Sequence, residues 1–323
     1  MFKLTSIFKQ AQPGYITSMH LYDSVVKPVM MYGSDIWGYS LSRSKTVYNM
    51  MKADVYENCH MKYCRFILGV SKKAPNIGLY GDTGRYPLCI TAVLAFLKYW
   101  HRIANFCESE NKLLYNAFCE NVKGNSTWFQ SITKLLDMVN VKAEHAMKNN
   151  VKLIIRKVQL FFKEAFVNGW KQELFDDSRK GNFGNKLRSY RTYKSGFSVE
   201  HYLLKCNSMV HRKNIARLRL SSHKLHIETG RYLVGIQRLK PHERICYKCN
   251  SNECEDEFHL IVKCKFYDNI REQLLNKLYE LYPFYKSMSD NDKFIFIMSN
   301  RNKYIINETG NFITRSFELR NNG

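Results

Sequence analysis

The residues of this sequence best suited to chemistry are three cysteines and a histidine towards its C-terminal end. Cys246 and Cys249 form a C-x2-C pair, and His259 and Cys264 follow with four residues between them. Thiolates and imidazoles are the ligands of structural zinc sites, in which the protein supplies all four tetrahedral donors. A tight turn can direct both sulfurs of a C-x2-C pair at one ion, and the second pair lies about one helical turn apart. The spacing therefore predicts a structural Zn²⁺ site.

Cys254 adds a fifth candidate donor to a site with four positions, because it lies between the two pairs. We favour His259 and Cys264 as the second pair, since both belong to one amphipathic segment, residues 255–264. Asp256 is placed to cap the start of that helix, and the glutamates on either side suit its positive end or a solvated first turn. The alternative is that the cysteines are buried thiols and that His259 is a hydrogen-bonded core histidine.

The charge of the chain indicates a polyanionic partner. Its 323 residues carry a net charge of +22, with a pI of about 9.5. From Val141 to Asn250 we count 24 Lys or Arg against 8 Asp or Glu, a net of +16. Charge of this sign and size favours nucleic acid or an acidic membrane surface as the partner. A hydrophobic content of 45% is that of a globular protein, and the length predicts two to three domains.

The cysteines and the hydropathy pattern indicate an intracellular protein. Ten cysteines would suit a disulfide framework, but no signal peptide opens the sequence, so we interpret them as thiols of a reducing compartment. No uninterrupted apolar run reaches about 18 residues, and no lipidation motif is found. We therefore expect a location in the nucleus, the cytoplasm or both, with neither a membrane nor a small-molecule substrate as partner.

Apolar residues recur at helical spacing through most of the chain, which predicts a mainly α fold. Helices are expected over roughly 43–66 (with Ser42 as the cap), 88–107, 113–122, 128–138, 151–175 and 267–281. The stretch from Leu68 to Leu88 is dense in Gly and Pro and is expected to be a loop, without a phosphate-binding fingerprint. The tail beyond Asp290 is expected to fray.

Residues 178–200 combine Gly, Ser, Arg and Tyr and form a candidate basic linker. Aromatic residues between basic ones also suit stacking on nucleobases together with phosphate neutralisation. A solvated tether is the alternative. Just before this stretch, Asp176 and Asp177 end a helical pattern, so the Leu-Phe-Asp-Asp run is interpreted as a helix end and not as a polymerase aspartate pair.

Two stretches resemble parts of the reverse transcriptases of LINE-type (non-LTR) retrotransposons. The first stretch is similar to the thumb that follows the polymerase palm. It reads L-Y-D-S-V-V-K-P-V-M-M-Y-G-S-D-I-W-G at 21–38, then F-I-L-G-V-S-K-K-A-P-N and Y-G-D-T-G-R-Y-P-L. The second stretch looks like the C-terminal Cys-Cys-His-Cys module of the same proteins. It reads R-L-R-L-S-S-H-K-L-H-I-E-T-G-R-Y at 217–232, then E-R-I-C-Y-K-C and E-D-E-F-H-L-I-V-K-C. Asp82 stands where we expect Glu in this family, which keeps the charge.

The resemblance implies a thumb-like multi-helical N-terminal domain, a helical basic connector and a small zinc-stabilised C-terminal module. The expected boundaries are 15–125 for the thumb-like domain, 126–177 for the connector, 178–200 for the linker, 201–285 for the basic segment with the zinc module, and 286–323 for the tail. It also implies binding of RNA, DNA or both, beside a polymerase core of the same element. An interaction module that docks on a separate polymerase core is the alternative function. The palm and its Asp-Asp strand are not found in these residues, so we interpret the chain as a C-terminal piece and expect no catalysis from it by itself.

The candidate nucleic-acid contacts are cations beside glycines or close to the cysteines, because such side chains can approach phosphates closely. They are Lys72, Lys73, Arg85, Arg217, Arg219, Lys224, Arg231, Arg238 and Arg244. For the first three, a solvated surface position is the alternative.

Overall fold

The computed structural model describes residues 13–38, 48, 55–148, 150–178, 184–232 and 239–322. Within these ranges the chain is largely helical, and its only β pairing is an isolated antiparallel bridge between Ile245 and Cys254. The mainly α fold expected from the sequence is therefore confirmed. None of the helices in these ranges has the length and apolar composition needed to cross a membrane.

The α-helices are named here in chain order. Those before residue 180 are α1 (Tyr15–Leu21), α2 (Lys27–Met30), α3 (Ser34–Trp37), α4 (Val55–Leu68), α5 (Asn76–Thr83), α6 (Leu88–Ala104), α7 (Lys112–Lys123), α8 (Thr127–Asp137), α9 (Ala143–Lys148) and α10 (Val151–Phe175). Those after it are α11 (Tyr190–Tyr193), α12 (His201–Lys205), α13 (Met209–Arg219), α14 (His226–Thr229), α15 (Asp268–Leu281), α16 (Asp290–Met298) and α17 (Lys303–Asn322). Two π-helical turns, Tyr22–Val26 and His259–Lys263, also occur.

Helix α10 has the predicted bounds, and α6, α7, α8 and α15 agree with the predicted ranges to within three residues. The predicted cap Ser42 lies outside the described residues. The loop predicted from Leu68 to Leu88 is wrong over its middle, where α5 forms after Pro75 and ends at Gly84 with a φ of +61°. Its internal glycine is a packing requirement, because a Cβ on Gly78 would lie 2.6 Å from Cδ2 of Leu220.

The expectation of a fraying tail is also wrong, because α16 and α17 occupy that region. Their apolar side chains recur at helical spacing and are buried, among them Phe294, Ile305 and Phe312. Helix α17 packs against α13 and α15. Its approach to α13 depends on Gly310, where a Cβ would lie 2.6 Å from Cβ of His211.

The chain packs into two compact units, each assembled from separate stretches of sequence. The smaller unit comprises 20–60 and 86–171, and the larger comprises 1–19, 61–85 and 172–323. In the smaller unit the core gathers around α6, which buries Val93, Leu97 and Trp100. The backbone N–H of Leu88 donates to Glu57 over 2.7 Å, so a carboxylate caps the start of α6. Along α10 the buried positions recur every fourth residue, at Ile154, Val158, Phe162, Phe166, Trp170 and Leu174.

The segment expected to be a basic linker is packed in its described part, residues 184–200. Leu187, Tyr190 and Tyr193 are buried, so the two tyrosine rings do not face solvent as stacking platforms for bases. The physical reason is a cation in the interior: the guanidinium carbon of Arg219 lies 5.4 Å from the Tyr190 ring centroid and 4.8 Å from that of Tyr193. The exposed tether expected there is therefore corrected, and residues 179–183 lie outside the described ranges.

A buried ion pair between Asp82 of α5 and Arg219 of α13 lies at the centre of the larger unit. The two side chains are 0% and 2% exposed, and Nη2 of Arg219 lies 3.0 Å from Oδ1 of Asp82. The hydroxyl of Tyr202 donates to Asp82 over 2.6 Å, and Glu200 lies 2.9 Å from the same guanidinium. Arg219 also donates to the Met298 carbonyl over 2.8 Å, so the pair joins α5, α12, α13 and α16.

We predict that Arg219→Met lowers the free energy of unfolding by about 3–5 kcal/mol, because it leaves the Asp82 carboxylate buried without its partner. The measurement is urea denaturation followed by circular dichroism. The matched control is Lys277→Met, which removes one half of the surface ion pair with Glu280 and should cost no more than about 1 kcal/mol. Equal losses for the two variants would contradict the central role of the buried pair.

Candidate metal centre

The structure brings the four predicted ligands together. The donor atoms of Cys246, Cys249, His259 and Cys264 all lie within 4.8 Å of one another. The sulfurs of Cys246 and Cys264 are 3.9 Å apart, and Sγ of Cys249 lies 3.2 Å from Nε2 of His259. Two sulfurs bound at 2.3 Å to one tetrahedral ion would be separated by about 3.8 Å. The donor set therefore fits a single metal ion bound between the two pairs.

A short hairpin-like loop positions the C-x2-C pair. The N–H of Cys246 donates to the Glu253 carbonyl over 2.8 Å, and the N–H of Glu255 donates to the Arg244 carbonyl over 2.9 Å. Between these bonds the chain reverses through Asn250 and Asn252, whose φ angles are +53° and +57°. Asparagine is among the residues that tolerate this left-handed conformation best. The reversal leaves both sulfurs on the side that faces His259.

A π-helical turn positions the second pair. His259 and Cys264 are five positions apart, so an α-helix would place them about 140° apart around its axis. In the structure His259–Lys263 forms a π turn, and the N–H of Cys264 donates to the His259 carbonyl over 2.8 Å. The wider turn returns Cys264 to the face that carries the imidazole. Single π turns of this kind are frequent at functional sites.

A carboxylate orients the imidazole from behind. Nδ1 of His259 lies 3.0 Å from Oε2 of Glu253, and Oε1 of Glu253 lies 3.3 Å from Nζ of Lys263. Burial would raise the pKa of Glu253, but these contacts with His259 and Lys263 lower it below its usual value. A carboxylate on one ring nitrogen leaves Nε2 as the ligand atom, which is the usual arrangement behind metal-bound histidines.

The thiols and the imidazole already interact as proton donors and acceptors. The contact with Cys264 lowers the pKa of the Cys246 thiol to about 3, and the same contact raises the pKa of Cys264. Burial would lower the pKa of His259, but hydrogen bonds with the Cys246 and Cys249 sulfurs raise it to about 9. A metal ion would replace the shared protons, because ligands bind in their deprotonated forms.

Cys254, the fifth candidate, does not belong to the group of four donors. Its thiol donates to the Pro241 carbonyl over 3.3 Å, and burial raises its pKa to about 12. A thiol that keeps its proton and points at a carbonyl is a poor ligand. This arrangement selects the same four ligands as the sequence did.

The acids around the start of the second pair have roles that the sequence did not reveal. Asp256 accepts a hydrogen bond from the N–H of His259 over 2.8 Å, as a cap should. The solvated first turn is wrong for Glu255 and Glu257, each 1% exposed. Glu257 binds Arg188 at 2.8 Å and Glu255 binds Arg320 at 2.8 Å, which are partners 69 and 65 positions away. Local sequence patterns cannot predict pairs at such separations.

Three predicted nucleic-acid contacts are corrected by their burial. Arg219 is held in the ion pair with Asp82, and Arg244 is 0% exposed. Arg244 donates to the carbonyls of Leu239 and Ile227 and so fixes the backbone next to Cys246. Arg231 is largely buried as well, between Glu228 and the Gly184 carbonyl. Arg238 lies outside the described residues.

Four other predicted contacts are exposed and lie on one surface of the larger unit, which we call the basic face: Lys72, Lys73, Arg217 and Lys224. Two contacts join their segments. Arg217 donates to the Gly69 carbonyl over 2.8 Å, and the N–H of Ser71 donates to the Ser222 hydroxyl over 2.7 Å. Nζ of Lys73 lies 3.5 Å above the ring of the partly exposed Tyr232. Arg85 is half-buried, with its guanidinium 3.8 Å from the sulfur of Met19.

Comparison with protein-family models, with curated proteins and with solved structures finds no match for this chain. The function is therefore argued from the metal centre and the basic face.

We predict that one divalent metal ion co-purifies with each chain and that Cys246→Ser abolishes this binding. Loss of the ion should increase hydrogen exchange over residues 240–280, because a structural metal contributes folding free energy directly, and should spare the smaller unit. The measurements are elemental analysis by mass spectrometry and hydrogen exchange. Cys254→Ser is the matched control and should keep its metal. Equal metal content in the two variants would refute the ligand assignment.

We also predict that the apparent metal affinity rises with pH. Below the His259 pKa of about 9, the metal-free imidazole carries a proton that must leave when the ion binds. Affinity should therefore increase about tenfold or more per pH unit between about pH 6 and 8. Competition with a chromophoric chelator measures it, and Cys254→Ser should show the same slope. An affinity that does not change over this range would contradict a site whose ligands lose protons when the ion binds.

Proposed function

We propose that the four donors hold a structural Zn²⁺ ion and that the larger unit is a nucleic-acid-binding module from the C-terminal region of a LINE-type reverse transcriptase. The ligand chemistry supports zinc, because three thiolates and one imidazole suit Zn²⁺ far better than Mg²⁺ or Ca²⁺. Four protein ligands complete a tetrahedral shell and leave no open coordination position. The ion's proposed role is therefore structural.

The observation that carries the binding proposal is the basic face. Many other cations of the larger unit are neutralised internally: Arg188 by Glu257, Lys194 by Glu200 and Arg231 by Glu228. The four cations of the basic face are exposed, and none of them forms an ion pair with a described residue. Tyr232, 41% exposed, adds an aromatic ring beside Lys73. Exposed cations next to an exposed ring suit a single strand, through phosphate neutralisation and base stacking.

The zinc site would set the position of one edge of this face. The N–H of His226 donates to Glu255 over 2.6 Å, and the N–H of Ile227 donates to the Glu255 carbonyl over 3.1 Å. Nδ1 of His226 also lies 2.9 Å from the Ile245 carbonyl. Helix α14 is thus fastened to the loop that carries Cys246, with Lys224 just before it and Tyr232 just after it. Ordering that loop by a metal would order both ends of α14.

The proposal assigns no catalysis to this chain by itself. The only Asp-Asp pair in the sequence follows α10, at Asp176 and Asp177. Asp176 accepts hydrogen bonds from the N–H and the hydroxyl of Ser178, and Asp177 binds Arg191 at 2.7 Å. These contacts are those of a helix end. Primer extension with magnesium on the purified chain should remain at background, and incorporation above it would overturn this part of the proposal.

We predict that single-stranded RNA and DNA bind with little sequence preference and that affinity falls steeply with salt. Each phosphate neutralised should contribute about 0.7–0.9 to the slope of log affinity against log salt. The variant Lys73→Ala/Arg217→Ala/Lys224→Ala should lower that slope by about 2. Fluorescence anisotropy measures both, and Lys303→Ala, an exposed lysine at the start of α17, is the control. An affinity that does not change with salt concentration would contradict the proposal.

A second candidate function, docking on a polymerase core, is favoured by one observation in the smaller unit. Val29, Tyr32 and Ile36 are 76%, 88% and 61% exposed, all within the segment that resembles a thumb. Exposed apolar side chains at this density are typical of a protein interface. Co-purification with a protein but not with RNA would favour this function over the first.

A further inference from the structure

The larger unit contains a cavity of about 470 Å³ that is separate from the metal centre. It lies between the start of α1, the end of α4 and the start of α13. Three cations line it, Arg65, Arg212 and Lys213, and apolar side chains form the rest of its wall, among them Phe66, Val70 and Met209. Its volume is within the range of pockets that hold small ligands.

Arg212 is the unusual member of this group. It is only 7% exposed, yet it has no hydrogen-bond or ion-pair partner among the residues that the structure describes. Other buried arginines of this unit do have ion-pair or carbonyl partners, as Arg219 has in Asp82 and Arg244 in backbone carbonyls. Its guanidinium nitrogens retain access to solvent, so an anion that enters the cavity can reach them.

The other two cations are also without a carboxylate. Arg65 donates to two neutral acceptors, the Ala74 carbonyl over 3.1 Å and the side chain of Asn76, and its Nε has no partner in the described ranges. No carboxylate in those ranges forms an ion pair with Lys213. Burial lowers the pKa of all three, and the nearby charges of Arg217 and Arg212 lower that of Lys213 further. Three cations therefore line one cavity, and none of them has an ion-pair partner in the part of the chain that the structure describes.

A glycine keeps Lys213 at the cavity. Gly69 has a φ of +66°, and a Cβ there would lie 2.7 Å from Cδ of Lys213. Both the positive φ and the close approach of Lys213 favour glycine at this position. The Gly69 carbonyl accepts from Arg217, which belongs to the basic face, so the cavity adjoins that face.

We propose that this cavity binds one phosphorylated nucleotide, with the phosphate on Arg65, Arg212 and Lys213 and the base against Phe66, Val70 and Met209. Guanidinium groups match phosphate oxygens with paired, charge-assisted hydrogen bonds. The apolar wall suits the face of a base, and the volume admits a single nucleotide. The source is a free nucleotide or the phosphorylated end of a strand lying on the basic face. Binding of a strand end rests on the proposed function, whereas binding of a free nucleotide does not.

The test compares Arg212→Met and Lys213→Met with the control Lys303→Met, in the full chain. The probes are uridine monophosphate and a fluorescent ten-nucleotide RNA with either a 5′-phosphate or a 5′-hydroxyl, measured by calorimetry and anisotropy. We expect both cavity variants to weaken binding of at least one phosphorylated probe by about tenfold or more, through loss of charge-assisted bonds. Lys303→Met should bind as the wild type does.

Thermal unfolding without ligand separates ligand binding from a structural role. Arg212→Met should leave the melting temperature unchanged or higher, because the guanidinium has no partner among the described residues, whereas a structural arginine would lower it when lost. Binding of the monophosphate alone would identify a free nucleotide, and dependence on the 5′-phosphate of the RNA would identify a strand end.

Two results distinguish this inference from the proposed function. Cavity variants that bind every phosphorylated probe within twofold of Lys303→Met would overturn the inference, even if salt-dependent strand binding persists. Binding of the monophosphate that is lost in Arg212→Met would support it, even if no strand binds to the basic face.

Discussion

The larger unit depends on one charge taken out of water, the Arg219 guanidinium. A buried cation is tolerated only when carboxylates, carbonyls and rings surround it, and Asp82, Glu200, Met298 and three tyrosines do so. These groups come from stretches more than a hundred positions apart. Satisfying Arg219 therefore fixes where α5 lies relative to α13 and α16. The same demand explains why the segment expected to be a tether is packed, because its Tyr190 and Tyr193 cover the guanidinium.

The loop of the metal centre poses a different problem. Between Pro241 and Cys264 the chain has few apolar residues to bury, and it contains no regular α-helix. Its stability has to come from polar groups: the four metal donors at one end, and Glu255 and Glu257 bound to Arg320 and Arg188 at the other. The glutamates attach the loop to α17 and to the 184–200 segment. A metal ion would order the loop internally, while the ion pairs fix its place in the unit.

The positive charge of the chain has three distinct uses. Some cations neutralise buried carboxylates, as Arg188, Arg219 and Arg320 do. Others project from the basic face, where they are available to a polyanion. A third group, Arg65, Arg212 and Lys213, lines a cavity without an ion-pair partner among the described residues. Net charge alone cannot separate these uses, because each cation contributes one unit whether it is paired inside the fold or exposed. Burial and the distance to the nearest carboxylate decide which use each cation has.

The sequence by itself determined whatever depends on near neighbours. Helical periodicity located α6, α7, α8, α10 and α15, and ligand type and spacing selected Cys246, Cys249, His259 and Cys264, since these signals act within a few turns of chain. Composition misjudged α5, because Gly78 serves a contact with Leu220 that no local rule contains. The tertiary structure decided the rest. It turned Arg219 and Arg244 inward, withdrew Cys254 from the donor group, and placed Arg212 in a cavity wall without a side-chain partner among the described residues, because the energy of a charge depends on what surrounds it in space.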